Sequence, residues 1–149
     1  MENKNLTETV PVVGHLTPAA ARAAGTYATG WLDASRFQRL TALLQVGTIA
    51  GTGTLNMRWQ SATDTNGTSS ADINSTSCIT STFASTSNDK IAQLELRLDQ
   101  NPSTPRYVRA FASTANSTWI GGIIVIGCSA IHEPASAYKH ADVVATTVY

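Results

Sequence analysis

Between Leu55 and Gln60 the chain alternates strictly: Leu55, Met57 and Trp59 are large and apolar, with Asn56, Arg58 and Gln60 set against them. A period of two is the signature of a β-strand with one dry and one wet face. Ile91, Leu94, Leu96 and Leu98 against Gln93, Glu95, Arg97 and Asp99 give the clearest pattern of this kind. A third segment interleaves Leu40, Ala42, Leu44 and Val46 with Arg39, Thr41, Leu43 and Gln45. A helix competes there, because Phe37, Leu40, Thr41 and Leu44 also fit 3.6-residue spacing. Strand is preferred, since Gly47 and Thr48 follow at once and the flanking segments are β-like.

Turn chemistry divides the rest. Thr26 to Leu32 is a short aromatic candidate for the first strand. Gly47 to Gly53 reads as a hairpin connection, because a phosphate loop needs a following helix and usually a Lys. Ser61 to Ser70 is a loop holding the turn dipeptide Asn66-Gly67. Ala71 to Asn88 is polar, with Ile73, Ile79 and Phe83 as anchors and one short strand expected around Cys78 to Phe83. Pro102 and Pro105 mark a turn, since neither can sit in a central ladder. Arg106 to Thr114 and Trp119 to Ser129 follow, joined by Ala115-Asn116-Ser117. The last strand is apolar on both faces, so it should be central or covered by a partner. Seven or so short strands between turns predict an all-β fold, an antiparallel β-sandwich.

That sandwich is expected over residues 25–130, between an N-terminal arm at 1–24 and a C-terminal arm at 131–149. The first arm carries Val10, Pro11, Val12 and Val13, then an Ala-rich stretch. There Thr17 would cap and Pro18 would start a turn or two of helix, stopped by Gly25. The second arm ends in a Val-rich strand-like segment, which usually pairs with a neighbouring edge.

Composition narrows the function classes. The 149 residues carry no formal net charge, 42% are hydrophobic and 13% charged, and Ser plus Thr supply about a quarter. Hydroxyl residues suit pleated surfaces and turns. Neutrality argues against nucleic acid or an acidic membrane surface as partner. The first residues lack an apolar core of signal-peptide length, and the run from Trp119 to Ile126 is too short to cross a bilayer. Cys78 and Cys128 are therefore expected as buried free thiols. Without a secretory route, the Asn-x-Thr tripeptides reflect only the Thr-rich composition.

No catalytic residue is assigned. No serine sits in a nucleophile elbow, and no triad spacing is recognisable. His15, His132 and His140 lie in or beside the arms. His132 and Glu133 with His140 and Asp142 are the best metal set, but solvated or interface groups are the expectation, so neither metal nor cofactor is assigned. Trp31, Trp59, Trp119 and Tyr107 offer a possible sugar platform. Trp59 is assigned to the core, while Trp119 follows a turn and could be exposed. Arg97, Arg106 and Arg109 near Glu95 and Asp99 read as cross-strand ion pairs.

Two stretches carry a family resemblance. Phe37 and Leu40 to Gly47, followed by Gly53-Thr54-Leu55-Asn56-Met57-Arg58-Trp59-Gln60-Ser61-Ala62-Thr63-Asp64, resemble a strand and turn of small jelly-roll proteins of tailed bacteriophages. Arg106-Tyr107-Val108-Arg109-Ala110-Phe111-Ala112-Ser113-Thr114 resembles a later strand of the same proteins, and Ile120 to Gly127 fits their closing strand. The resemblance covers roughly residues 25–130 and neither arm. It implies a jelly-roll-like sandwich acting as a capsid decoration or cement protein on the outside of the virion, made in the host cytoplasm and without enzymatic activity. Its partners would be the major capsid protein and copies of itself, with no nucleic acid and no membrane. The arm residues expected to make those contacts are Val10, Val12, Val13, Tyr138, Val143, Val144, Val148 and Tyr149. Another head or tail component and a carbohydrate-binding module are the alternatives.

Overall fold

The structure is a computed structural model, and it describes residues 9–73, 83–84, 86–98, 105–131 and 138–143. Among the described residues seven strands carry the fold: β1 (Val12–Arg22), β2 (Gly25–Ala28), β3 (Leu32–Asp33), β4 (Phe37–Ala62), β5 (Ala71–Asp72), β6 (Lys90–Arg97) and β7 (Tyr107–Ala130). A 3₁₀ turn, Ala34–Arg36, leads into β4. No helix among the described residues is long and apolar enough to cross a membrane.

Two strands dominate. β4 and β7 pair antiparallel from Phe37↔Ala130 to Ala62↔Tyr107. Every other strand adds to one of them: β1, β2 and β3 lie along β7, and β5 and β6 along β4. The stretches Gly47–Gly53 and Ala115–Ser117, expected as hairpin connections, are therefore not turns. The chain runs through both without reversing.

Those stretches are where the ribbon folds over. Leu40, Ala42, Leu44 and Val46 are buried at even positions of β4, whereas Ile49, Leu55, Met57 and Trp59 are buried at odd ones. β7 switches likewise, from Val108, Ala110, Ala112 and Thr114 to Ser117, Trp119, Ile123 and Val125. The ladder slips between Val46 and Ile49 and again between Gly51 and Thr54. Asn116 lies at φ 56 and Gly51 at φ 83, a left-handed backbone that breaks the alternation. The switch keeps one face of the ribbon dry through the bend.

Folding brings the two halves face to face. Gly14 pairs with Val125, and Leu32 with Val108, seventeen residues earlier on β7. A straight strand would hold those points roughly 55 Å apart. Instead, a Cβ built on Gly14 would meet Leu32 Cδ2 at 3.0 Å. Residues of both halves share one core, including Leu40, Leu44, Ile123 and Val125 from one layer and Leu55, Met57, Trp59 and Val108 from the other. The result is the jelly-roll-like antiparallel sandwich that the sequence predicts. Layer A holds β1, β6 and the outer ends of the ribbon; layer B holds β2, β3, β5 and its inner part.

One local expectation holds and several change. The Phe37 region is strand, because its alternating Leu40, Ala42, Leu44 and Val46 meet the core. Thr17 and Pro18 start no helix; they lie in β1, at the edge of the sheet, where register slips between Leu16 and Ala19. An edge is where a residue without an N–H does least harm. Residues 12–22 of the expected N-terminal arm thus supply a strand of the sheet. The candidate first strand splits at Thr29, whose hydroxyl takes the N–H of Ala110 at 3.1 Å. On β6 the buried residues are Ala92 and Leu96, and Ile91 points outward with 68% exposure. Trp119 is buried rather than exposed, packed edge-on to Tyr27 with the Arg22 guanidinium over its ring.

Candidate interaction face

The outer surfaces of the two layers differ in kind. On layer B four side chains that alternate outward, Arg58, Gln60, Asp72 and Arg109, form a connected polar network. Arg109 donates from Nε and a terminal nitrogen to Gln60 Oε1 at 3.0 and 2.9 Å, and Gln60 Nε2 donates to Asp72 Oδ1 at 2.9 Å. Arg58 pairs with Asp72 at 3.2 Å and lies over Phe111, while Arg109 stacks on Trp31 at 4.3 Å. The guanidiniums roof the aromatic rings, so among the described residues this face exposes no large apolar side chain.

Layer A is the opposite. β7 is central as expected, and its outward residues Ile120 and Ile124 are 40% and 45% exposed. Ile124 pairs with Leu43 on β4 and His15 on β1, and Gln45 pairs with both Gly122 and Ile91. Isoleucines that a central strand turns outward therefore form an apolar strip across three strands. A shallow groove of about 560 Å³ follows the strip, with Leu16, Pro18 and Val143 among its walls. Strips of apolar side chains ringed by polar groups mark docking surfaces.

The expected arm contacts separate into four groups. Val13 is packed in the core, 7% exposed. Tyr138 is engaged within the chain, edge-on to Phe37 at 5.7 Å and beneath the Arg36 guanidinium at 5.0 Å. Val12 and Val143 line the apolar groove, and Val10 is half-buried beside β1. Val144, Val148 and Tyr149 lie outside the described residues.

At one end of the groove three polar side chains converge. The His140 backbone N–H donates to the Val12 carbonyl at 2.6 Å, and a turn closed by Val143 N–H to the His140 carbonyl at 3.0 Å follows. That turn directs Asp142 back toward His15 on β1: Asp142 Oδ2 is 3.3 Å from His15 Nε2 and 3.7 Å from His140 Nδ1. The two rings meet edge-on at 4.8 Å. The pairing of His140 with Asp142 was legible in sequence; His15 was not. His132 and Glu133 lie outside the described residues.

The other charged candidates have structural duties. Arg106 grips Asp33 in a fork, Nε to Oδ1 at 3.1 Å and a terminal nitrogen to Oδ2 at 2.7 Å. Asp33 also caps the 3₁₀ turn through Ser35, and together these donors hold its carboxyl well below the usual carboxylate range. Glu95 pairs across the ladder with Arg39 at 3.8 Å rather than with Arg106 or Arg109. Cys128 is a free, half-buried thiol whose pKa burial pushes up, and Cys78 lies outside the described residues.

Fold and surface together define an antiparallel β-sandwich with one outer face closed by its own polar groups and the other left apolar. No protein-family model matches the chain, and no curated protein does. Among solved structures, a chain titled Desmodium yellow mottle tymovirus is similar, with a TM-score of 0.34 and 11% identity over 89% of this chain and 95% of that one. At that level the likeness carries no argument about function.

Proposed function

We propose that this protein is a structural virion component, a decoration or cement subunit that lays the apolar face of layer A against the major capsid protein of a tailed bacteriophage. The observation that carries the reading is the strip of Ile91, Ile120, Ile124 and Leu43, an open dry surface on a neutral sandwich. Its opposite face is already satisfied. The sequence resemblance to small phage jelly-roll proteins supplies the partner class.

The energetics suit a repeating lattice. Fully burying an isoleucine yields about 1.5–3 kcal/mol, and these side chains are only partly exposed, so one subunit gains modestly. Repetition over a symmetric shell turns modest contacts into avidity. The role requires no catalysis, cofactor, nucleic acid or membrane, and copies of the chain would meet on the shell exterior.

Quantitative mass spectrometry of purified particles tests the reading. Copy number in simple proportion to the major capsid protein is expected, and absence from particles overturns it. Ile91→Asp should fold with stability within about 0.5 kcal/mol of the parent, because the side chain is 68% exposed, while Ile124→Asp, 45% exposed on the central strand, should cost about 1–2 kcal/mol and remain folded. They should fail to bind particles stripped of this protein. Full binding by the double variant would remove layer A from the interface.

A further inference from the structure

We propose that His15, His140 and Asp142 form a binding site for a divalent transition-metal ion, zinc by preference, clasping the C-terminal segment 138–143 to strand β1. One ligand atom from each residue lies within 4.8 Å of the others among the described residues. Two imidazoles with a carboxylate suit zinc and its first-row neighbours; calcium and magnesium take all-oxygen sets.

The geometry is close to that of a bound ion on the two Asp142 edges, while the two histidine nitrogens, within 4.8 Å of each other, would have to draw together. Metal–ligand bonds of about 2.0–2.2 Å in a tetrahedron place ligand atoms roughly 3.3–3.5 Å apart. Asp142 Oδ2 already stands 3.3 and 3.7 Å from the two histidine nitrogens. The backbone presets both sides: His15 is fixed by the β1–β7 ladder opposite Ile124, and His140 by its N–H on Val12. The tight turn at 140–143 returns the carboxylate to the imidazoles.

Present neighbours show what the ion would replace. His15 Nε2 is 3.1 Å from Thr17 Oγ1, and the Asp142 N–H donates to His140 Nδ1 at 3.2 Å. Both are exposed hydrogen bonds, readily exchanged for water. Three protein ligands would leave a fourth position open, where water or a group from a docked partner would complete the shell.

The site is independent of the capsid reading, and its test uses the full chain alone. Calorimetric titration with Zn2+ at neutral pH should give one ion per chain. Titration with Co2+ should give the absorption of a nitrogen–oxygen site, without the charge-transfer band of a thiolate. His15→Ala and Asp142→Asn should each weaken Zn2+ by more than the roughly 10–100-fold that loss of a ligand's hydrogen-bond partner costs. Both residues are partly exposed, so thermal melting of the metal-free variants should match the parent. No saturable binding, a thiolate band, or undiminished binding by a His15→Ala/His140→Ala double variant would overturn the assignment.

Discussion

Replacing Gly53 with alanine should be among the most damaging single-methyl changes available to this protein. Gly53 lies on β4 where the ribbon folds over, and a Cβ there would stand 2.1 Å from the Ala115 carbonyl oxygen. Ser117 Cβ and Oγ would be 2.4 and 2.5 Å away. Attractive carbon contacts begin at about 3.5 Å, so β4 and β7 would have to separate by about 1 Å. No flexible side-chain end can absorb that, because one obstacle is main chain. The displaced segment also holds the bond between Thr114 Oγ1 and Ser117 Oγ, 2.8 Å long and buried. Overpacking costs about 1–3 kcal/mol, and exposing a buried hydroxyl pair to no partner costs a further 1–3 kcal/mol or so. A loss of about 2–6 kcal/mol is a large part of the 5–15 kcal/mol or so that holds a typical domain together. With a urea m-value of about 2 kcal/mol/M, the midpoint should fall by roughly 1–3 M. Fluorescence of the buried Trp59 and Trp119 reports the transition. Gly30→Ala is the control, since nothing lies within 4 Å of its built Cβ. It should be neutral or raise stability by up to about 1 kcal/mol. Equal midpoints for the two variants would refute the close-approach argument.

Other outcomes follow from the same contacts. Arg106 holds the Asp33 pKa down in the folded state, so the stability this pair contributes is present above the unfolded carboxyl value near 3.9 and is lost as pH falls below it. Thermal melting between pH 5 and pH 2 should therefore drop less steeply in Asp33→Asn than in the parent, and parallel curves would remove the pair from the acid response. Burial raises the Cys128 thiol, so in a Cys78→Ser background its alkylation at pH 7 should be slower than that of a free cysteine and should accelerate with added base. Labelling at the free-thiol rate would show an open Cys128.

What sequence could carry was face, and what it could not carry was partnership. Leu55, Met57 and Trp59 announce a half-buried strand by themselves, and all three are core. The even-to-odd change between Val46 and Ile49 was also present in the text of the chain. Yet Gly47, Gly51 and Gly53 look the same whether a strand reverses or merely folds and continues. Only the opposite strand, with its own kink at Asn116, distinguishes them. Ile91 misled for a related reason: hydrophobicity suggested the core, but the inward side of β6 is fixed by its register with β4, and that register turns Ala92 inward. The groove-end cluster was half legible, since His140 and Asp142 are sequence neighbours. His15 joins them through the register of β1 on β7, which no local pattern encodes.

The placement of β7 sets a timetable for biosynthesis. Among the described residues, strands β1, β2 and β3 pair with β7 and with no other strand, so these three strands emerge long before their ladder partner exists. At about 5–20 residues per second, the ribosome takes on the order of 5–20 s to travel from β3 through β7. During that interval β4 can collect β6, but three N-terminal strands wait with open edges. Pairings this distant along the chain also close slowly once available. The nascent protein is thus most vulnerable to wrong strand partners while its first thirty or so residues are already outside the ribosome, and interventions that raise its yield should act in that window: slower initiation, lower temperature or an early-binding chaperone.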